Sequence, residues 1–258
     1  MPSLHTSVIE QIHRHASVRQ YKPDPISQEW IETIVAAGQR AATSSNLQTY
    51  AVIAVTDPSK RAELARLCGN QAHIAQAPVF LAWCADLSKL DRAAQLRRLP
   101  HSHSTVESFL MAAVDVALAA QNAVLAAESL GLGTCYIGGL RNHPRTIIQL
   151  LSLPRLVFPI TGLTVGWPAV APATRPRLPQ RAILHWEGYS REHEDSALHE
   201  YDQTMAATGI YEHRQVPVPD KPDEVENYGW LEHSARRVSQ PQRIELSQVV
   251  REQGFDLQ

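Results

Sequence analysis

Apolar positions are densest between Phe109 and Leu130, a run rich in Ala and Leu that contains neither Gly nor Pro. With hydrophobic residues on nearly every side, it predicts a core helix buried all round. Asp115, Gln121, Asn122 and Glu128 interrupt the run, and polar groups at those depths argue against a membrane span. Gly131 and Gly133 stop the helix. Thr134 to Gly139 then reads as a short apolar strand or turn, and its closing Gly pair lets a ligand approach the backbone.

Upstream, Val8, Ile9 and Ile12 give a helical pattern that begins at Ser7 and runs into an extended piece, His15 to Tyr21. Alternation there puts Ser17 and Arg19 on one face beside His15, with Val18 opposite, so three anion-binding groups converge. Ser27 caps a helix from Gln28 to Ala42 whose buried face carries Trp30, Ile31, Ile34, Val35 and Ala37. The polar patch Thr43 to Gln48 leads into a strand, Tyr50 to Thr56. Asp57-Pro58 opens a helix to about Leu67, Gly69-Asn70 breaks it, and Gln71 follows as an isolated amide. Pro78 starts an apolar strand, Val79 to Ala85, and Leu87 to Pro100 reads as a polar helix or lid.

After the core helix, Pro144 opens a short helix to about Leu151, and Val157 to Trp167 is another buried strand. Pro168 to Arg181 carries four prolines and reads as a stiff, extended connector that presents Arg175 and Arg177 on one side. A helix around Ala197 to Ala207, a second Pro-rich piece from Val216 to Pro222, a segment with Trp230, Arg236 and Arg237, and a last helix near Pro241 to Gln253 complete the chain.

Composition narrows the function classes. A chain of 258 residues with 44% hydrophobic residues can bury a full core. Its formal net charge of −2 comes from well-mixed signs, which disfavours nucleic acid or an anionic membrane as partner. The N-terminus has no signal-peptide pattern, so a cytoplasmic protein is expected. Cys68, Cys84 and Cys135 are widely spaced in apolar surroundings and read as core thiols. The pairs His13/His15 and His101/His103 have no third ligand near in sequence, so no metal is expected. Neither a G-x-G-x-x-G fingerprint nor a P-loop occurs.

The motifs His15-Ala-Ser17-Val-Arg19-Gln-Tyr21, Ser44-Ser-Asn-Leu-Gln48, Gln71, Tyr136-Ile-Gly-Gly-Leu-Arg-Asn142, Gly166-Trp-Pro168 and Arg175-Pro-Arg-Leu-Pro179 together resemble the nitroreductase family. The branch is that of oxygen-insensitive, NADPH-dependent nitroreductases and flavin reductases, and the match runs in unbroken order from about Ser7 to Arg181. The resemblance implies an α+β fold with a mostly antiparallel central sheet, a long core helix and a C-terminal arm exchanged in a homodimer. It implies an FMN-binding core over residues 1–185 and an extension over 186–258 that packs on the partner subunit.

By position, His15, Ser17, Arg19 and Arg177 resemble the groups that hold the FMN phosphate and ribityl chain, with Arg175 where the family often has Lys. Gln71 resembles the amide that reads the flavin's pyrimidine edge, and Tyr136, Ile137, Gly138 and Gly139 the segment beside the ring. Ser44, Ser45, Asn46 and Gln48 would come from the partner subunit. Arg214, Arg236, Arg237 and Arg243 are candidates for the 2′-phosphate that separates NADPH from NADH. The implied activity is two-electron transfer from NAD(P)H, by a ping-pong mechanism, to nitroaromatics, quinones or flavins, with FMN carrying the chemistry and no catalytic side chain nominated. Two positions depart from the pattern: Ala16 stands where a cation is usual, and Asn46 where the close branch often has an aromatic. The alternatives are a non-catalytic FMN-binding or sensing protein, and a flavin reductase that supplies reduced FMN.

Overall fold

The computed structural model describes residues 4–101, 105–218 and 221–257. His103 of the second histidine pair, and Pro219 and Asp220 of the second Pro-rich piece, lie outside the described residues. The chain forms two compact units, one of residues up to 174 together with 243 onward, the other of residues 175–242.

The first unit begins with α1 (Ser7–His13), capped by the Thr6 hydroxyl, and α2 (Gln28–Gly38), capped by Ser27. Helix α2 ends four residues short of Ala42. Gly38 lies against α6 (Val106–Ser129) so closely that an added Cβ would stand 2.9 Å from the Ala119 carbonyl oxygen. Strand β1 (Tyr50–Val55) is followed by α3 (Pro58–Leu67), with Asp57 as its N-cap and Pro58 in its first turn. A short α4 (Ala72–Gln76), which periodicity did not reveal, begins right after Gln71. Then come β2 (Val79–Asp86), α5 (Ser88–Arg97), α6, β3 (Gly133–Ile137), α7 (Pro144–Leu150) and β4 (Val157–Gly166).

The four strands make one sheet in the order β1-β2-β4-β3, with every pairing antiparallel. The central β2 is buried at each of its eight positions, as its unbroken apolar run requires. Its two faces feed two cores. Phe80, Ala82 and Cys84 pack with Leu64, Ile74, Leu140 and Ile147, whereas Leu81 and Trp83 pack with Ile34, Val116, Ala120 and Ala123. The alanines of α6 therefore lie between the sheet and α2, which is the place of a core helix.

The expectation that this helix is buried all round is corrected. Val106, Leu110, Val114 and Leu118 recur every fourth residue and are 54%, 55%, 48% and 44% exposed, so one apolar stripe is left largely uncovered among the described residues. A sequence with apolar residues on all faces does not say which of them the same chain covers.

The second unit holds α8 (Glu194–Ala206), a two-stranded hairpin of β5 (Gln215–Val218) and β6 (Lys221–Asn227), and α9 (Trp230–Val238). The Pro-rich piece read as a separator is thus part of a hairpin. Pro217 is tolerated because it sits at a register shift in a two-stranded ribbon, where a missing N–H leaves no inner ladder broken. The chain ends in the first unit with α10 (Leu246–Glu252), whose Val249 and Val250 are buried beside Phe158 and Phe255.

Candidate functional site

Strand β3 is an edge of the sheet, and the extended piece after α1 lies along it. Ser17 pairs with Thr134 in a parallel bridge, and the Val18 N–H donates to the Thr134 carbonyl at 2.8 Å. Gly133 is required beneath this crossing, since a Cβ there would run into the Val18 side chain. Tyr21 fixes the far end: its hydroxyl donates to the Val18 carbonyl at 2.7 Å and lies 2.7 Å from the Thr164 hydroxyl. Burial pushes the Tyr21 phenol far above its ordinary range, so it stays neutral and keeps its proton for these bonds.

Ala16 and Val18 are buried while Ser17 and Arg19 are exposed, as the alternation required. His15 lies beside them, its Nδ1 2.6 Å from Glu128 Oε1, and the same oxygen accepts from Thr134 Oγ1 at 3.2 Å. Arg19 also acts on α4: burial, and then the Arg19 charge, depress the His73 imidazole below its usual range. His73 Nε2 is buried with no hydrogen-bond partner among the described residues.

Gln71, next to His73, turns its Nε2 onto the Cys68 carbonyl at 2.7 Å, which leaves the amide oxygen and one N–H for a further partner. Gly139 fits against this amide, because a Cβ on it would sit 2.9 Å from Gln71 Nε2 and still closer to the Cys68 oxygen. Two residues 68 positions apart in sequence thus meet directly at the end of β3, where Ile137 leads into a 3₁₀ turn, Gly138–Arg141. Tyr136 projects outward at 37% exposure, its hydroxyl 3.5 Å from Gln121 Oε1. Desolvation, with the Glu128 charge behind it, raises the phenol's pKa and keeps it protonated.

The structure therefore gathers His15, Ser17, Arg19, Gln71 and the Tyr136–Gly139 segment along one sheet edge. It does not bring Ser44, Ser45, Asn46 and Gln48 to that edge. They form the turn leading into β1, the opposite edge strand, roughly 14 Å away at about 4.8 Å per strand spacing. Arg175 and Arg177 belong to the second unit and are exposed, with Arg177 Nη1 donating to the Arg175 carbonyl at 2.9 Å.

The four arginines considered for a nucleotide phosphate do not fall in one unit. Arg214, Arg236 and Arg237 lie in the second, where Arg214 stacks 5.8 Å from the Tyr228 ring centre and Arg236 pairs with Glu232. Arg243 lies in the first, donating to Asn142 Oδ1 at 3.1 Å.

Sequence reasoning missed Glu128, Thr134, His73 and Asp115 as members of this architecture. A signal existed for two of them. Asp115 and Glu128 are the acidic residues inside the apolar core-helix run, and a charge in such a run needs a partner.

Comparison with known proteins bears on the family and the fold. The model of the nitroreductase family matches residues 12–167, and that of the nitroreductase family C-terminal domain matches residues 175–258. An FMN reductase (NADPH) of Bacillus subtilis is 35% identical over 254 residues, covering 97% of this chain and 98% of the relative. An oxygen-insensitive NADPH nitroreductase of Salmonella typhimurium is 39% identical over 199 residues, covering 77% of this chain and 80% of the relative. The solved structure of NfrA2 from B. megaterium superposes with a TM-score of 0.89 at 36% identity, covering 98% of this chain and all of that one. With both family models spanning the chain and the sheet, core helix and edge motifs in place, this protein belongs to the nitroreductase family.

Proposed function

We propose that this protein is an FMN-dependent NADPH oxidoreductase of the nitroreductase and flavin reductase kind. The observation that carries the reading is the seating of Gly139 against the Gln71 amide, beside the exposed Ser17/Arg19 face. FMN fits these residues. A guanidinium and a hydroxyl with an adjacent imidazole suit a phosphate and a ribityl chain, the open side of Gln71 suits a heterocyclic edge, and the glycines leave room for a flat ring. When bound, FMN supplies two-electron transfer between the nicotinamide cofactor and an oxidised acceptor. The chain's part is to bind, orient and surround it with fixed donors: Arg19 offers charge, Gln71 reads the edge, and Tyr136 to Gly139 line the ring. Arg175 and Arg177 enter the proposal through the resemblance alone, as do Arg214, Arg236, Arg237 and Arg243 for NADPH.

The active form proposed is a homodimer in the cytoplasm, with the part of the 186–258 extension that precedes Arg243 packing on the partner, since α10 packs in the first unit of its own chain. Two observations support the dimer. The stripe Val106, Leu110, Val114 and Leu118 needs a cover, and the Ser44–Gln48 turn lies at the far sheet edge from its own Gln71 and Gly139, so it would serve the second copy's flavin. A non-catalytic FMN carrier gains little from Ala16, which is buried on the face away from Ser17 and Arg19. Nitroaromatics, quinones and free flavin are the proposed acceptors.

The test is the purified protein itself. It should be yellow with bound FMN and bleach within seconds on anaerobic mixing with NADPH. A colourless protein that takes up no FMN overturns the proposal, and a yellow protein that NADPH leaves oxidised reduces it to an FMN carrier.

A further inference from the structure

Asp115 lies at mid-length of α6 and is 1% exposed. Asp is a poor helix former, and a buried carboxylate is costly unless its oxygens are hydrogen-bonded. Here they are, and all three donors come from a single loop. Oδ1 accepts from the Ser44 backbone N–H at 3.0 Å, and Oδ2 from the Thr49 N–H at 3.1 Å and the Thr49 hydroxyl at 2.8 Å. One carboxylate thus clamps both ends of the turn between residues 44 and 49.

What lies between the clamped ends is strained. Ser45, Asn46 and Gln48 hold φ of 47°, 57° and 54°, so three non-glycine residues in four occupy the left-handed region. Such conformations persist only where surrounding structure over-determines them, and they concentrate at sites that hold a ligand. The loop's own bonds are local: Asn46 N–H donates to the Thr43 carbonyl at 3.3 Å, Leu47 N–H to the Ser44 carbonyl at 2.9 Å, Gln48 Nε2 to the Asn46 carbonyl at 3.2 Å, and Tyr50 N–H to the Gln48 carbonyl at 2.9 Å. All of them join residues two or three positions apart, whereas Asp115 reaches the turn from a different element, 66 and 71 positions away in sequence. Thr49 then passes the anchor to the sheet, its carbonyl accepting from the Asp86 N–H at 3.0 Å.

We propose that Asp115 is a positioning residue for the flavin site: its buried carboxylate holds the 44–49 turn in the strained shape that presents Ser45, Asn46 and Gln48 to the cofactor. The inference rests on the reading of the protein as an FMN enzyme and on this turn touching FMN. Asp115 itself touches no cofactor. Its effect is carried by backbone geometry, because two carboxylate oxygens fix the directions of the amides on either side of the turn. Asn in its place offers only one acceptor oxygen and sets an NH₂ group against the N–H donors.

The experiment uses the full-length chain and two variants. Asp115→Asn removes one arm of the clamp, and Thr49→Val removes only the hydroxyl bond at 2.8 Å while keeping size and β-branching. Three readouts are taken: the FMN dissociation constant by fluorescence titration, amide hydrogen exchange resolved over residues 40–60, and the midpoint of thermal unfolding. The expected result is FMN binding weaker by about tenfold in Asp115→Asn and about threefold in Thr49→Val, with faster exchange confined to the turn. A purely structural carboxylate would lower the unfolding midpoint and loosen α6 and β1 together while leaving FMN affinity unchanged. FMN affinity within twofold of the parent in both variants overturns the assignment, whatever happens to stability. Should Asp115→Asn not fold, Thr49→Val alone decides by the same criterion. Failure of the parent to bind FMN overturns the flavin reading and this inference with it, an outcome distinct from a parent that binds and variants that bind equally well.

Discussion

The imidazole of His15 and the carboxylate of Glu128 meet at 2.6 Å, across 113 positions of sequence. The pair joins the extended piece after α1 to the last turn of α6, and Thr134 Oγ1 closes the triangle from β3. A carboxylate on Nδ1 fixes the ring's orientation and leaves Nε2 for a further partner. Glu128→Ala should free the ring and weaken FMN binding by about fivefold, near the roughly 1 kcal/mol net worth of a hydrogen bond. His15→Ala should cost a similar amount, and the double variant little more than either. Titration of the three variants checks this, and fully additive losses would show that Glu128 does not act through His15.

Arg19 is the exposed cation on the β3 edge. Arg19→Ala removes a charge-assisted contact worth about 1.5–3 kcal/mol, so FMN should be lost on extensive dialysis that the parent survives. Arg177→Ala tests the resemblance-based assignment in the same assay. Unchanged occupancy in both variants would sink the phosphate assignment.

Gly139→Ala should hurt both stability and flavin binding. The added methyl would press on Gln71 Nε2 and on the backbone at Cys68, and backbone cannot swing aside as a flexible side chain can. Overpacking of this kind costs about 1–3 kcal/mol. A variant with parental melting temperature and parental FMN affinity would show that the amide is not seated as described.

The stripe on α6 makes a prediction about mass. Light scattering should give a dimer, and Leu118→Glu, which puts a charge into a position now 44% exposed and apolar, should shift it toward monomer. FMN should leave with the partner if the Ser44–Gln48 turn is supplied in trans. A monomer that retains FMN would refute the shared-site arrangement.

NADPH should be preferred to NADH by at least about tenfold in kcat/KM, roughly 1.4 kcal/mol, if even one of the four arginines reads the 2′-phosphate. Steady-state kinetics with both cofactors, repeated on Arg214→Ala, Arg236→Ala, Arg237→Ala and Arg243→Ala, identifies which. Equal efficiencies in the parent mean that none of them does.

The sequence by itself determined the elements whose signal is local. Caps at Ser27 and Asp57, proline at the start of α3 and α7, the apolar runs of β2 and β4 and the alternation from Ala16 to Arg19 each depend on neighbours in the chain, so each was legible. The five-residue α4 and the hairpin of β5 and β6 were not, because one is too short for a period and the other carries prolines that read as breakers. Only the tertiary structure decided which side of α6 is covered, since Leu110 and Ala119 both look apolar in sequence while burial depends on what packs there. It alone joined Gly139 to Gln71, His15 to Glu128, and Asp115 to both ends of the 44–49 turn. Those pairings form across 66 to 113 positions, beyond the reach of any periodicity, and an acid in an apolar helix announces that it needs a partner without saying which.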